Sequence, residues 1–158
     1  MKRSSRAALL VLGTAGALLG SPPAFSQPTF FFEGDMVRGE PQPGVKAPVC
    51  VLASQFKRGD QVVWRIRVLD PATGQGLDDK ALKSVQVQLA DGQTLNARYG
   101  GHPPKGKPSD YFWSVSWKIP ADYPTGSLSY TVKAVGQDER SASWAPFKMA
   151  PSQLTVTP

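Results

Sequence analysis

Apolar and polar residues alternate with a period of two along most of the chain. In residues 110–119, Tyr111, Trp113, Val115, Trp117 and Ile119 interleave with Phe112, Ser114, Ser116 and Lys118. That period puts one set on each face of an extended strand, with the first set expected to be buried and Phe112 expected to point outward. Pro120, Pro124 and Gly126 interrupt the rhythm, which resumes at Leu128, Tyr130, Val132 and Ala134. Residues 61–69 repeat it, with Val62, Trp64, Ile66 and Val68 set between Val63, Arg65, Arg67 and Leu69. Val85, Val87 and Leu89 mark a further strand, and residues 90–93 fit a tight hairpin turn leading into a partner over 94–99. Short strands are expected at 49–54, 140–148 and 153–157. Trp64, Trp113, Trp117 and Trp144 belong to the expected core.

Between these runs lies turn chemistry. Lys57, Arg58, Gly59 and Asp60 form one turn and residues 70–74 another, where Asp and Pro fix the backbone locally. Residues 78–82 amount to one helical turn at most. Without a long amphipathic helix or a repeat, the chain reads as all-β, an antiparallel sandwich of about seven to nine short strands. A closed barrel is the competing arrangement; the prolines between strands favour a sandwich.

The N-terminus changes the picture of where this domain begins. Lys2, Arg3 and Arg6 precede an apolar run over residues 7–19, and Ala24, Phe25 and Ser26 follow. This is the layout of a secretory signal peptide spanning residues 1–26, which implies a periplasmic or secreted protein. The apolar run is short and ends at Ser21, Pro22 and Pro23, so no membrane span is expected in the mature form. Residues 27–48 are a Pro- and Gly-rich extension, with a short edge strand at 29–32 and a tether over 38–48. Residues 49–158 form the sandwich. The chain of 158 residues carries a formal charge of +6. Three of its basic residues and none of its acidic ones lie in 1–26, leaving +3 for the remainder. That suits weak attraction to anionic partners and does not indicate nucleic acid. Cys50 is the only cysteine, so no internal disulfide forms, and a buried thiol is the expectation.

Cys50 on a short strand followed by Trp64 on the next resembles the Cys-to-Trp arrangement of immunoglobulin strands B and C. Residues 124–130 resemble the entry into strand F. Leu128 stands where that family has its corner tyrosine and Tyr130 where it has its second cysteine. The chain thus resembles a bacterial immunoglobulin-like or fibronectin-III-like module over residues 49–158. The resemblance implies an immunoglobulin-like sandwich, an architecture rather than an activity.

Candidate chemistry is sparse. His102 is the only histidine, and it lies among Gly100, Gly101, Pro103 and Pro104, a poor setting for a preset base; no enzyme and no cofactor are expected. A blue-copper site needs two histidines, a cysteine and usually a methionine. Cys50 and His102, with Met36 or Met149, would make only a weaker thiolate–imidazole site. The tripeptide at 58–60 is expected to be a plain turn, and Asp78 with Asp79 to be acidity at a helix start. The stronger candidate is the loop over 100–109, where Lys105 and Lys107 stand among prolines beside His102, Tyr111 and Phe112. Arg65 and Arg67 share the outward face of one strand. The expectation is an exported, non-enzymatic binding or accessory domain that docks an envelope protein with an acidic surface. A subunit of a periplasmic enzyme or electron-transfer complex would fit. Its contact residues would be His102, Lys105, Lys107, Tyr111, Phe112, Arg65 and Arg67. Two alternatives stay open: a carbohydrate-binding module with Tyr111, Phe112 or Tyr123 as exposed platforms, and copper or zinc handling through Cys50 and His102.

Overall fold

The computed structural model describes residues 29–39, 51–103 and 106–158. In chain order its strands are β1 (Phe31–Arg38), β2 (Val51–Leu52), β3 (Gln55–Lys57), β4 (Gln61–Leu69), β5 (Leu82–Leu89) and β6 (Thr94–Asn96). There follow β7 (Arg98–His102), β8 (Asp110–Lys118), β9 (Gly126–Leu128), β10 (Tyr130–Gly136), β11 (Ser141–Trp144) and β12 (Leu154–Thr157). A 3-10 turn, Ala150–Ser152, is the one helical element among the described residues, and no helix there is long and apolar enough to cross a membrane. The strands form three sheets, ordered β2-β1-β4-β8-β7, β11-β10-β5-β6 and β3-β12-β9. Every pairing is antiparallel except that of β12 with β3.

Strand β4 shows why the first two sheets face one another. Val62, Trp64, Ile66 and Val68 are all buried, while Val63, Arg65, Arg67 and Leu69 point the other way. Trp113 and Trp117 of β8 join the buried set, and β5 and β10 supply Val85, Val87, Leu89, Tyr130, Val132 and Ala134 from the opposite sheet. Aromatic rings run through this core in contact: Tyr123 on Trp117 at 4.8 Å, Trp117 near Trp64 at 6.3 Å, and Trp64 near Tyr130 at 5.8 Å. Tyr130 in turn meets half-buried Trp144 at 6.3 Å. Each such pair adds roughly 0.5–1.5 kcal/mol beyond burial.

The turns close as their residues require. Asp70 Oδ1 accepts the N–H groups of Ala72 and Thr73. Gly92 takes φ 88° in the hairpin after β5, a left-handed conformation that glycine adopts without penalty. Residues 78–82 make a single closed turn, in which Leu82 N–H donates to Asp78 C=O at 3.0 Å.

Three expectations need correction. The strand segments number twelve among the described residues, more than the seven to nine expected. The run over 94–99 divides at Ala97, where the chain leaves β5 for β8, and the run from Gly126 to Gly136 breaks at Ser129. The short edge strand expected at 29–32 is instead the eight-residue β1, which lies inside its sheet between β2 and β4. Its Glu33 and Asp35 conceal it in the sequence, because their partners stand on β4. Tyr111 is 52% exposed, against the buried face its place in the alternation gave it but as its reading as a surface platform or contact residue required: it lies near the end of β8, where its ring stacks on Tyr99 at 6.1 Å. The proposed leader at 1–26, residues 40–48 of the tether expected over 38–48, and Cys50 lie outside the described residues.

Candidate functional site

The register of the five-stranded sheet gathers four of the candidate residues on its outer face. Glu33 lies directly opposite Arg67 and Asp35 opposite Arg65. The Asp35 carboxylate accepts two hydrogen bonds from the Arg65 guanidinium, at 2.7 and 2.6 Å. Arg67 bridges Glu33 at 3.5 Å and the Asp110 carboxylate, which it also meets in a hydrogen bond. That hydrogen bond pushes the Arg67 guanidinium above its ordinary value. Between these pairs stands half-buried Phe112, with the Arg65 guanidinium 6.0 Å from its ring centre and the His102 ring at 5.6 Å. The carboxylates, the arginines and Phe112 line an open depression of about 340 Å³.

His102 is thus a strand residue, not a loop residue. It closes β7 opposite Asp110, and its carbonyl accepts the Ser109 N–H at 2.9 Å. Lys107 is exposed on the short loop that follows, Lys105 lies outside the described residues, and Tyr111 points to the other side of the sheet from Phe112. The structure therefore brings together Arg65, Arg67, Phe112 and His102 and separates Tyr111 from them. Three carboxylates answer the two guanidiniums on this face, so it offers no excess of positive charge to an acidic partner. Pairs this exposed are worth little individually.

The other readings of single residues also meet the structure. Tyr123, a candidate glycan platform, is 6% exposed and packs edge-on against Trp117. Burial raises its phenol to about 12. Phe112, the second platform, has Arg65 and His102 as ring neighbours, which leaves less of its face for a sugar. Among the described residues no three His, Cys, Asp or Glu side chains gather as a metal site would require. Arg58 donates to the Tyr123 carbonyl at 2.8 Å and Asp60 accepts from the Lys57 N–H at 2.9 Å, so the 58–60 turn is engaged internally.

A second surface went unread in the sequence. A groove of about 410 Å³ runs between β1–β2 and the segment 144–152. Met36, Tyr130, Trp144 and Pro146 form its floor, with Leu52 and Phe147 at its rim. Leu52 is 65% exposed and Phe147 80% exposed, with Met149 beyond at 55%. Gly34 lines the groove on the β1 side, where a Cβ would stand 3.6 Å from the Trp144 ring. Two apolar side chains, Phe147 and Met149, bracketed by Pro146 and Pro151 were the available signal. Their lack of strand alternation with the residues before them marks a projecting segment rather than a strand end.

Comparison with family models, with curated proteins and with solved structures finds no match to this chain.

Proposed function

We propose that this chain is an exported, immunoglobulin-like domain without catalytic chemistry of its own, which acts as an accessory module by holding a protein partner in the periplasm or cell envelope. The observation that carries the reading is the apolar groove, where Phe147 and Leu52 stand exposed over an aromatic floor. Interface cores are enriched in aromatic residues and Met and depleted of charge, and an exposed apolar patch of this kind marks a binding surface. The outer face with its neutralised arginines has the opposite character.

The immunoglobulin-like part of the reading draws on strand order. β1-β4-β8-β7 runs as strands A-B-E-D of that sandwich, and β11-β10-β5-β6 as G-F-C-C′. In this correspondence Tyr130 opens strand F, as its sequence context suggested, whereas Trp64 falls on strand B rather than C. Export draws on the N-terminal sequence pattern. The non-catalytic part draws on His102, whose facing carboxylate, Asp110, is engaged by Arg67, so no base with an orienting acid is assembled there.

A photo-crosslinking residue placed at position 147 in the exported protein tests the reading. An adduct to a protein from position 147, absent from position 133 on β10 and lost when Leu52 is changed to Asp, is the expected result. Adducts from position 107 in place of 147 would move the contact to the β7–β8 loop. No adduct from either would end the reading.

A further inference from the structure

Resting on the reading of this groove as the docking surface, we infer that its occupant is an extended, uncharged segment of the partner, which adds a strand to the open edge of β1. Strand β2 covers that edge only at Val37 and Arg38. Beyond it the Met36 carbonyl accepts the Ala53 N–H at 3.0 Å, and there the chain turns away toward β3. Backbone groups of alternate residues in a strand point to the same side, so the next ones facing this edge belong to Gly34. Among the described residues no strand pairs with β1 on that side at Gly34, nor with β11 on the side away from β10. The groove therefore runs beside an unpaired row of main-chain donors and acceptors, the template on which an extended peptide adds.

Area, charge and symmetry select this occupant over others. A stable interface between folded proteins buries roughly 800 Å² on each partner. The groove is lined by twelve residues, fewer than the roughly 20–30 a side of such an interface, whereas a peptide gains main-chain hydrogen bonds in place of area. The one charged side chain lining the groove is Asp35, both of whose oxygens already accept from Arg65. A charge on the occupant's inner face would be buried without a partner there. A second copy pairing edge to edge through β1 is disfavoured. A two-fold centred on Gly34 would set Glu33 opposite Asp35 of the other copy, acid facing acid with each already engaged by Arg67 or Arg65, so the pairing gains no cross-strand attraction. The inner positions of the incoming strand are therefore apolar at every second residue, filling the space over the Tyr130 and Trp144 rings.

The test is selection from a phage-displayed library of random peptides of about twelve residues on the exported form of the protein, followed by synthesis of the enriched peptides. Expected are sequences with uncharged apolar residues at every second position. Their binding should weaken by about tenfold or more in the Leu52→Ser, Phe147→Ser double variant, while the Gly34 amide exchanges more slowly in the complex with the unchanged protein. Both substituted side chains are exposed, so circular dichroism and thermal unfolding should show the double variant folded. Failure to enrich any peptide over the bare support overturns the inference, as does equal binding to the double variant. Binding that depends on Leu52 and Phe147 but leaves Gly34 exchange unchanged overturns strand addition alone. In that case, and in the case of a crosslink from position 147 without peptide enrichment, the docking surface stands and its strand-like occupant falls.

Discussion

Tyr130 links the core to the groove, and its ionisation should weaken the fold at high pH. Its phenol is 4% exposed, and burial raises its pKa from 10.0 to about 12. The folded state thus holds the proton more tightly than the unfolded chain. The neutral phenol's contribution is fully present below pH 10 and is lost as pH rises through about 12. Two units at roughly 1.4 kcal/mol each amount to about 3 kcal/mol, a large fraction of the roughly 5–15 kcal/mol by which domains are stable. The assay is urea unfolding at a series of pH values from about 9 to 12, comparing the protein with Tyr130→Phe. The variant retains a ring beside Trp64 and Trp144 and lacks the titrating group. Tyr123, also raised to about 12, is present in both proteins and cancels in the difference. The stability of the variant relative to the parent should rise by about 2–3 kcal/mol across that range. A difference that stays constant with pH would refute the claim that the phenol is held neutral by burial.

Further predictions concern the sheet that carries the arginines. A double-mutant cycle on Asp35→Ala and Arg65→Ala should return a coupling of about 0.5–1 kcal/mol by thermal unfolding, shrinking as salt is added. A β-carbon on Gly101 would lie 2.5 Å from Pro108 Cγ, whereas nothing lies within 4 Å of one on Gly100. Gly101→Val should therefore cost about 1–3 kcal/mol, and Gly100→Ala should change denaturation by less than about 0.5 kcal/mol. Gly126 opens β9 at φ 116°, so Gly126→Ala should lower stability by about 1–3 kcal/mol in the same assay.

The limits of the sequence signal follow from what a two-residue period encodes. It records which way a side chain points, and so β4 was legible from Gln61 to Leu69 and the outward pointing of Arg65, Arg67 and Phe112 with it. It does not record which sheet a strand joins. Leu95, Ala97 and Tyr99 keep one parity while the chain passes from β5 to β8, so two strands read as one. Nor does it see partners distant in sequence. Glu33 and Asp35 make β1 resemble a polar loop until Arg67 and Arg65, some thirty positions on, are set opposite them. The groove was hidden for the same reason, because Gly34 and Trp144 belong to opposite ends of the domain.

The groove itself follows from how the last part of the chain is divided. β11 ends at Trp144 beside β10, and after buried Pro146 the chain swings out through Phe147 and Met149 before Leu154 begins β12 in a different sheet. There β12 pairs with β3 in parallel and with β9, and the Thr155 N–H donates to the Ser54 carbonyl at 2.8 Å. One end of the seam between the two large sheets is thereby bridged by backbone, while at the other, at Gly34 and Trp144, no strand among the described residues does so. Proteins usually guard an unpaired strand edge with charge, proline or a covering segment. Here the guards are arranged unevenly: Arg65 and Arg67 occupy the outer face, and the 146–151 segment leaves Phe147 exposed at the groove's rim rather than packed across it. An edge that no described strand covers is flanked here by apolar side chains, Leu52 and Phe147, that the fold leaves exposed and that contribute nothing to the core. The proposed binding of a protein at that opening would give those residues the role that packing does not.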